Sequence, residues 1–250
     1  MNVVLLAVLA IASSTAEAAI EHFRKGVELR ENADLARPEF ARSAAAFDDL
    51  WHETPSPAVA LQRGRAHRLA GNLPLAILSL RQGLAIAPAD RDLQRALAEA
   101  RAAVAYPSGS DLEAQCRVPT PRTLTTTLSR TQITILGGAL WLTVCLALAR
   151  FAMTRSTSWL VFAVASLIVL FVIAGFGWKE HRDRDSALPF AVVTEETHLR
   201  TGNATSYPPR LDAALPPGVE VKLLGERGGW RHVELANGIA GWLPGNVLVP

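Results

Sequence analysis

Residues 225–250 read GERGGWRHVELANGIAGWLPGNVLVP. Two short runs rich in β-branched and aromatic residues, Trp230–Leu235 and Ile239–Leu243, lie either side of Asn237-Gly238, a dipeptide suited to a type I′ hairpin turn. Gly225, Gly228 and Gly229 sit just upstream, where turn geometry accounts for them. Further back, Pro217-Gly218 turns into a central strand, Glu220–Leu224, and Val192-Val193 offers another. Trp230 and Trp242 are placed to cover the two ends of so small a core. Residues 188–250 are therefore expected to form a small all-β barrel.

Upstream of this segment lie ITILGGALWLTVCLALARFAM and WLVFAVASLIVLFVIAGFGW. Each is close to the ~20 residues that cross a hydrocarbon core. They predict transmembrane helices at 132–151 and 158–178, the second bracketed by Trp159 and Trp178 as interfacial aromatics. The connection, Arg150–Ser158, is too short for anything but a tight hairpin, so both outer ends lie on one side of the membrane. Flanking charges are mixed: Arg130 before the pair, Arg150 and Arg155 between, and Lys179, Arg182 and Arg184 after it among Glu180, Asp183 and Asp185. They do not decide the orientation. Residues 106–131, rich in Pro, Thr, Ser and Gly, read as a linker.

The N-terminus supplies the orientation. An apolar run, Val3–Ala12, is followed by Ser13-Ser14-Thr15 and then Ala16-Glu17-Ala18, an A-x-A cleavage pattern. Residues 1–18 are expected to be a signal peptide, although no Lys or Arg precedes the apolar run; a short uncleaved anchor is the other reading. Either places the soluble parts outside the cytoplasm. The expected location is a bacterial inner (cytoplasmic) membrane, with two spans and periplasmic domains. Lys and Arg number 25 against 23 Asp and Glu, a net charge of +2 with no clustered basic run, which does not suggest nucleic acid. The two cysteines, Cys116 in the linker and Cys145 in an apolar span, are not expected to pair.

Residues 19–105 carry a helical pattern. Phe23 and Val27, then Phe40, Ala44 and Phe47, recur at helical spacing, and Pro38 suits the first turn of a second helix. In PSPAVALQRGRAHRLAGNLPLAILSLRQGLAIAPAD, two helices break at Gly71-Asn72, with Gly71 suited to the C′ position and Asn72 to the next N-cap. Pro88 ends that helix, and Asp90 caps another with the apolar stripe Leu93, Leu97, Ala100 and Val104. Counting back from Pro88, this pair resembles a tetratricopeptide repeat: Gly64, Ala76, Leu80 and Pro88 occupy the small, small, large and proline slots. Gly64 and Ala76 allow the two helices to approach closely. An irregular first repeat matches at Gly26, Ser43, Phe47 and Pro55 with an insertion between its helices.

Motifs that carry chemistry are missing from this sequence. The histidines His22, His52, His67, His181, His198 and His232 show no metal-ligand spacing, and there is no CxxC or phosphate-binding loop. Ser108-Gly109-Ser110 lies in the linker, not on a nucleophile elbow. Asp48-Asp49 and Glu195-Glu196 are adjacent in sequence, so they diverge and read as solvated charge. No enzyme activity, cofactor or metal is expected.

The C-terminal segment resembles the bacterial SH3-like domain through HLRTGNATSYP, LPPGVEVKLL, GGWRHVEL and GIAGWLPGNVL, in that order. The resemblance implies a binding module of the cell envelope, and in some family members the ligand is peptidoglycan. The fold class expected is thus a multi-domain membrane protein: tetratricopeptide-type helices, a transmembrane hairpin and an SH3-like barrel. In that order of parts the chain resembles BatE-type proteins of aerotolerance operons. This implies a non-catalytic scaffold whose partners are von Willebrand factor A-domain membrane proteins and a MoxR-type AAA+ ATPase. Groove positions carried over from the repeat family fall on Phe23, Val27 and Arg30, then Leu61, Arg65 and Arg68, where arginines suit a partner's carboxylates. Tyr207, Trp230 and Trp242 are the aromatic candidates on the barrel. A peptidoglycan-binding anchor is the second reading.

Overall fold

The computed structural model describes residues 2–108, 111–118, 130–185 and 189–250. The described residues are mostly helical, with one five-stranded antiparallel sheet and, among them, one helix long and apolar enough to cross a membrane. Two compact units divide the chain: Met1–Pro119 joined with Leu188–Pro250, and Thr120–Ala187. The larger unit is thus discontinuous in sequence.

That unit begins with five helices, α1 (Asn2–Glu28), α2 (Ala33–Glu53), α3 (Pro57–Leu69), α4 (Leu73–Ile86) and α5 (Arg91–Ala102), each packed on the next. Local chemistry sets their ends. Asn32 accepts the Asp34 N–H at 3.2 Å, Ser56 Oγ accepts the Val59 N–H at 3.3 Å, and Asp90 Oδ1 accepts from Asp92 and Leu93 at 2.9 and 3.1 Å. Gly71, at φ 87°, closes α3 in a Schellman turn, with Asn72 N–H donating to His67 C=O at 2.8 Å. Asn72 starts α4 without a side-chain cap bond. Because Asn32 caps α2 early, Pro38 lies inside that helix and not in its first turn.

The structure adds to the sequence reading at α1 and corrects it at Asp48. Helix α1 runs unbroken through Ala16-Glu17-Ala18, and Ala19 is wholly buried with its carbonyl accepting the Ser43 hydroxyl at 2.8 Å. Asp48 is not solvated charge: it pairs with the buried side chains of Arg63 and His67, the latter with Nε2 3.2 Å from Oδ2. Arg63 also donates to Gln82 at 2.7 Å and lies over the Trp51 ring, tying α2, α3 and α4 together.

Burial alone would raise the Asp48 carboxyl, but hydrogen bonds and charge from His67 and Arg63 outweigh it and hold the group below its ordinary value. A carboxyl depressed in the folded state stabilises the fold above its unfolded pKa and loses that contribution as pH falls through the folded one. Unfolding midpoints of wild type and Asp48→Asn, measured from pH 7 downward, are expected to show the wild-type advantage intact above about pH 4 and draining away below it.

The sheet follows a meander: β1 (Phe190–Val193), β2 (Glu220–Arg227), β3 (Trp230–Glu234), β4 (Ala240–Pro244) and β5 (Leu248–Val249), in the order β4-β3-β2-β1-β5. Gly228 and Gly229, at φ 59° and 76°, make the β2–β3 turn. The β3–β4 turn is not type I′, which requires positive φ at both central residues. Only Gly238 is left-handed (φ 88°), its N–H donates to Leu235 C=O at 3.0 Å, and Asn237 Oδ1 accepts the Ile239 N–H at 3.1 Å. The core of this module is Leu199, Leu215, Val233, Leu235 and Leu243, all fully buried. Trp230 and Trp242 do not cap it: they alternate with Val233 and Leu243 along paired strands and so occupy the other face, partly exposed.

The β module and the helices share one hydrophobic core. Ile77, Leu80, Leu93 and Leu97 belong to the same buried cluster as Val192, Val193, Val219 and Val221. Gly218, at φ 97°, brings the backbone so near the helices that a Cβ there would meet Val104 at 3.0 Å. Glu220 is buried between two arginines, accepting from Arg81 Nη1 at 2.7 Å and from Arg101 Nε and Nη2 at 2.6 and 3.0 Å. Arg81 also stacks 4.2 Å from the Phe190 ring centroid.

The segment read as a linker contributes here too. Tyr106 packs against the shared core, and a short helix α6 (Leu112–Cys116) buries Leu112 and Cys116. Burial pushes the Cys116 thiol up to about 11, so it stays protonated and inert. Residues 119–129 of that segment, and Gly109-Ser110 of Ser108-Gly109-Ser110, lie outside the described residues.

The smaller unit is a helical pair, α7 (Arg130–Thr154) and α8 (Thr157–Asp185), joined by Arg155 at φ 54° and Ser156. Val144, Ala147 and Ala163 are buried, while Trp141, Leu142, Leu146, Phe162 and Phe171 are exposed. Thr134–Thr154 meets the length and hydropathy needed to span a bilayer; the apolar part of α8 found among the described residues, Thr157–Val172, is shorter. The Trp178 side chain, and those of the charged residues around it, lie outside the described residues.

Candidate functional site: a charged groove between α3 and α5

The α3–α4 pair owes its closeness to Gly64. A Cβ at that position would stand 2.6 Å from Leu80 Cγ, so the glycine lets Leu80 seat directly against α3. Ala76 is likewise fully buried. With α4 drawn in as a floor, α3 and α5 stand as two walls of a groove. Its pocket of about 40 Å³ has Leu80 at the base, Arg65 and Arg68 on one wall, and Asp92, Arg95 and Glu99 on the other. No residue of the β module lines it. That volume exceeds what one water requires and suits a single small polar head group, not a cofactor.

Three cations and two anions make the electrostatics uneven. Arg68 Nη1 reaches across to Glu99 Oε2 at 3.0 Å, and Arg95 pairs with Asp92 along α5 at 3.5 Å. Arg65, exposed, has no ion pair among the described residues. One guanidinium with its planar fork of donors is therefore open in a pocket that carries a net positive charge.

Of the six groove residues expected from the sequence, only Arg65 and Arg68 come together. Phe23 packs edge-to-face on Phe40 with centroids 5.4 Å apart, inside the α1–α2 pair. Val27 is exposed at the end of α1 and Arg30 in the turn that follows it, and Leu61 is partly buried against the shared core. The physical reason is that α1 packs on α2 and is not stacked beside α3 as α5 is. The opposite wall is not among the residues expected from the sequence, where α5 stands out by its apolar stripe. Its other face carries Asp92, Arg95, Ala96 and Glu99 at i, i+3, i+4 and i+7, a pattern visible in the sequence.

The aromatic candidates form a second surface. On the outer face of β3–β4, His232 lies opposite Trp242 and their rings stack at 4.8 Å with a 26° tilt. Trp230 shares that face two residues away. Tyr207 is 47% exposed, with its ring over Gly202, and its carbonyl accepts from Arg200 at 2.7 Å. Arg200 in turn exchanges backbone hydrogen bonds with Trp242. A wider cleft of about 740 Å³ opens among the α3–α4 turn, Tyr106 and Pro216-Pro217, with Glu196 on its lining. Among the described residues, no cluster of His, Cys, Asp or Glu is placed to hold a metal ion.

Comparison with protein families, curated proteins and solved structures returns no match for this chain.

Proposed function

We propose that the protein is a non-catalytic, membrane-tethered interaction module whose α3–α5 groove takes an acidic segment of a partner protein. The observation that carries this reading is Arg65, a guanidinium with no ion pair among the described residues, in a small pocket where Arg68 and Arg95 add further donors. A carboxylate entering there gains charge-assisted hydrogen bonds that none of the described residues supplies to Arg65. In this reading α7 and α8 both cross the membrane, their exposed apolar side chains facing lipid. The discontinuous larger unit agrees with an even number of crossings, because both flanks of the insert belong to one compact body. Export through the N-terminal segment puts that body in the periplasm. The partners expected from the BatE-type resemblance are von Willebrand A-domain membrane proteins and a MoxR-type ATPase.

A second reading rests on the stacked His232–Trp242 pair, a partly exposed aromatic platform of the kind that packs on sugar rings. It makes the protein a peptidoglycan-binding anchor. One experiment separates the two. The tagged full-length chain, purified from mildly solubilised membranes, is expected to co-elute with membrane proteins. Arg65→Ala is expected to reduce that recovery about tenfold, as loss of one charge-assisted contact predicts. Wall fragments in the eluate, lost on Trp242→Ala and indifferent to Arg65→Ala, would overturn the groove reading in favour of the anchor.

A further inference from the structure

The groove is already partly occupied by the protein's own carboxylate. Glu99 on α5 meets Arg68 on α3 across the opening, the two residues being 31 apart in sequence. Both side chains are well exposed, 39% for Arg68 and 51% for Glu99, so this pair contributes little to folding. Surface ion pairs of this kind also exchange readily with solvent and with competing ions. Its position is what matters: it spans the two walls at the place where the groove offers a guanidinium to a ligand.

We propose that Glu99 is a resident competitor, an internal mimic of the ligand carboxylate that sets the affinity and selectivity of the groove. This rests on the reading of the groove as a site for acidic segments. In the free protein Arg68 is engaged by Glu99 and Arg65 is open. A single carboxylate docks on Arg65 alone. A segment with two neighbouring carboxylates reaches Arg68 as well, and only by displacing Glu99, which then turns to water. The groove therefore discriminates between isolated acidic residues and runs of them: each further carboxylate must outcompete one that is tethered in place. Along the α5 wall itself Asp92 pairs with Arg95 in the same pocket, so a further carboxylate of a run meets a second tethered competitor there.

The test uses the full-length protein in detergent micelles and a fluorescein-labelled hexaglutamate peptide, followed by anisotropy at low salt. Wild type is expected to bind, and Arg65→Ala to lose binding about tenfold. Glu99→Gln, which keeps the shape of the side chain and releases Arg68, is expected to bind roughly two- to fivefold more tightly. Glu113→Gln is the matched control: it removes the same charge from a carboxylate paired with Arg117 on α6, outside the groove. Equal tightening in Glu99→Gln and Glu113→Gln would reduce the effect to net charge and overturn the competitor. Unchanged or weaker binding by Glu99→Gln, with wild type still sensitive to Arg65→Ala, would likewise overturn it while leaving the groove in place. Failure of every variant to bind, or binding indifferent to Arg65, would overturn the groove reading itself.

Discussion

Glu220→Ala is expected to cost the larger unit about 3 kcal/mol of stability, read from denaturant unfolding of the full-length protein by tryptophan fluorescence. The side chain is 5% exposed and answers two guanidiniums, Arg81 and Arg101, that are themselves 30% and 22% exposed. Removing it leaves two like charges facing each other across the interface of β2 with α4 and α5, without the anion that justified their burial. Net attraction in such a triad is modest, because desolvation offsets most of the Coulomb gain; the penalty for breaking one side is what is large. Glu220→Gln, which still accepts one hydrogen bond, should lose less than Glu220→Ala. A loss under about 1 kcal/mol for the alanine variant would mean that the apolar contacts hold the module in place by themselves.

Gly64→Val is expected to be comparably damaging, at about 2–3 kcal/mol. Helix propensity favours the substitution, since glycine inside a helix is up to about 1 kcal/mol worse than other residues. Packing opposes it, because the new Cβ would stand 2.6 Å from Leu80 Cγ, a distance at which something must move. Either α3 and α4 separate or Leu80 leaves its rotamer, and both disturb the groove base. Packing wins, because the neighbour is a buried branched side chain and not a flexible tip. Leu80→Ala on the same background makes room, so the double variant should lose less than the sum of the singles. Strict additivity would show that the two side chains do not compete for one space.

What the sequence made legible followed from strong local signals. Gly64 with Ala76, Gly71, Pro88 and Asp90 each constrain the backbone or the approach of two helices within a few residues. Strand positions were readable within one to three residues for β2, β3 and β4, since period-two alternation and glycine turns bound them. β5 was not read, being two residues long and closed by a short 3-10 turn, Gly245–Val247. The outward placement of Trp230 and Trp242 was hidden because large aromatics are placed inside by default, whereas Val233 and Leu243 fill this core. Two features were out of reach for a different reason. Arg81, Arg101 and Glu220 are separated by as many as 139 residues, and nothing local announces that they meet. Burial of Tyr106 and Cys116 likewise depends on the β module, not on the Pro- and Thr-rich segment that carries them. Half of the groove was readable, through Arg65 and Arg68; the half on α5 required knowing which helix stands beside α3.

The discontinuity of the larger unit has a consequence for how the protein is made. A ribosome delivers residues 2–118 first, then the helical pair, and residues 189–250 afterwards. Until that last stretch emerges, the helix surface bearing Ile77, Leu73 and Val104 has no cover, and Arg81 and Arg101 have no counter-ion. Completion of the body thus requires that the two stretches flanking the intervening segment find each other again. A chain whose two flanks fail to meet would keep a bare apolar face and two unmatched arginines. Those are the marks by which surveillance proteases and chaperones recognise unfinished clients, so each flank of the larger unit serves as the check on the folding of the other.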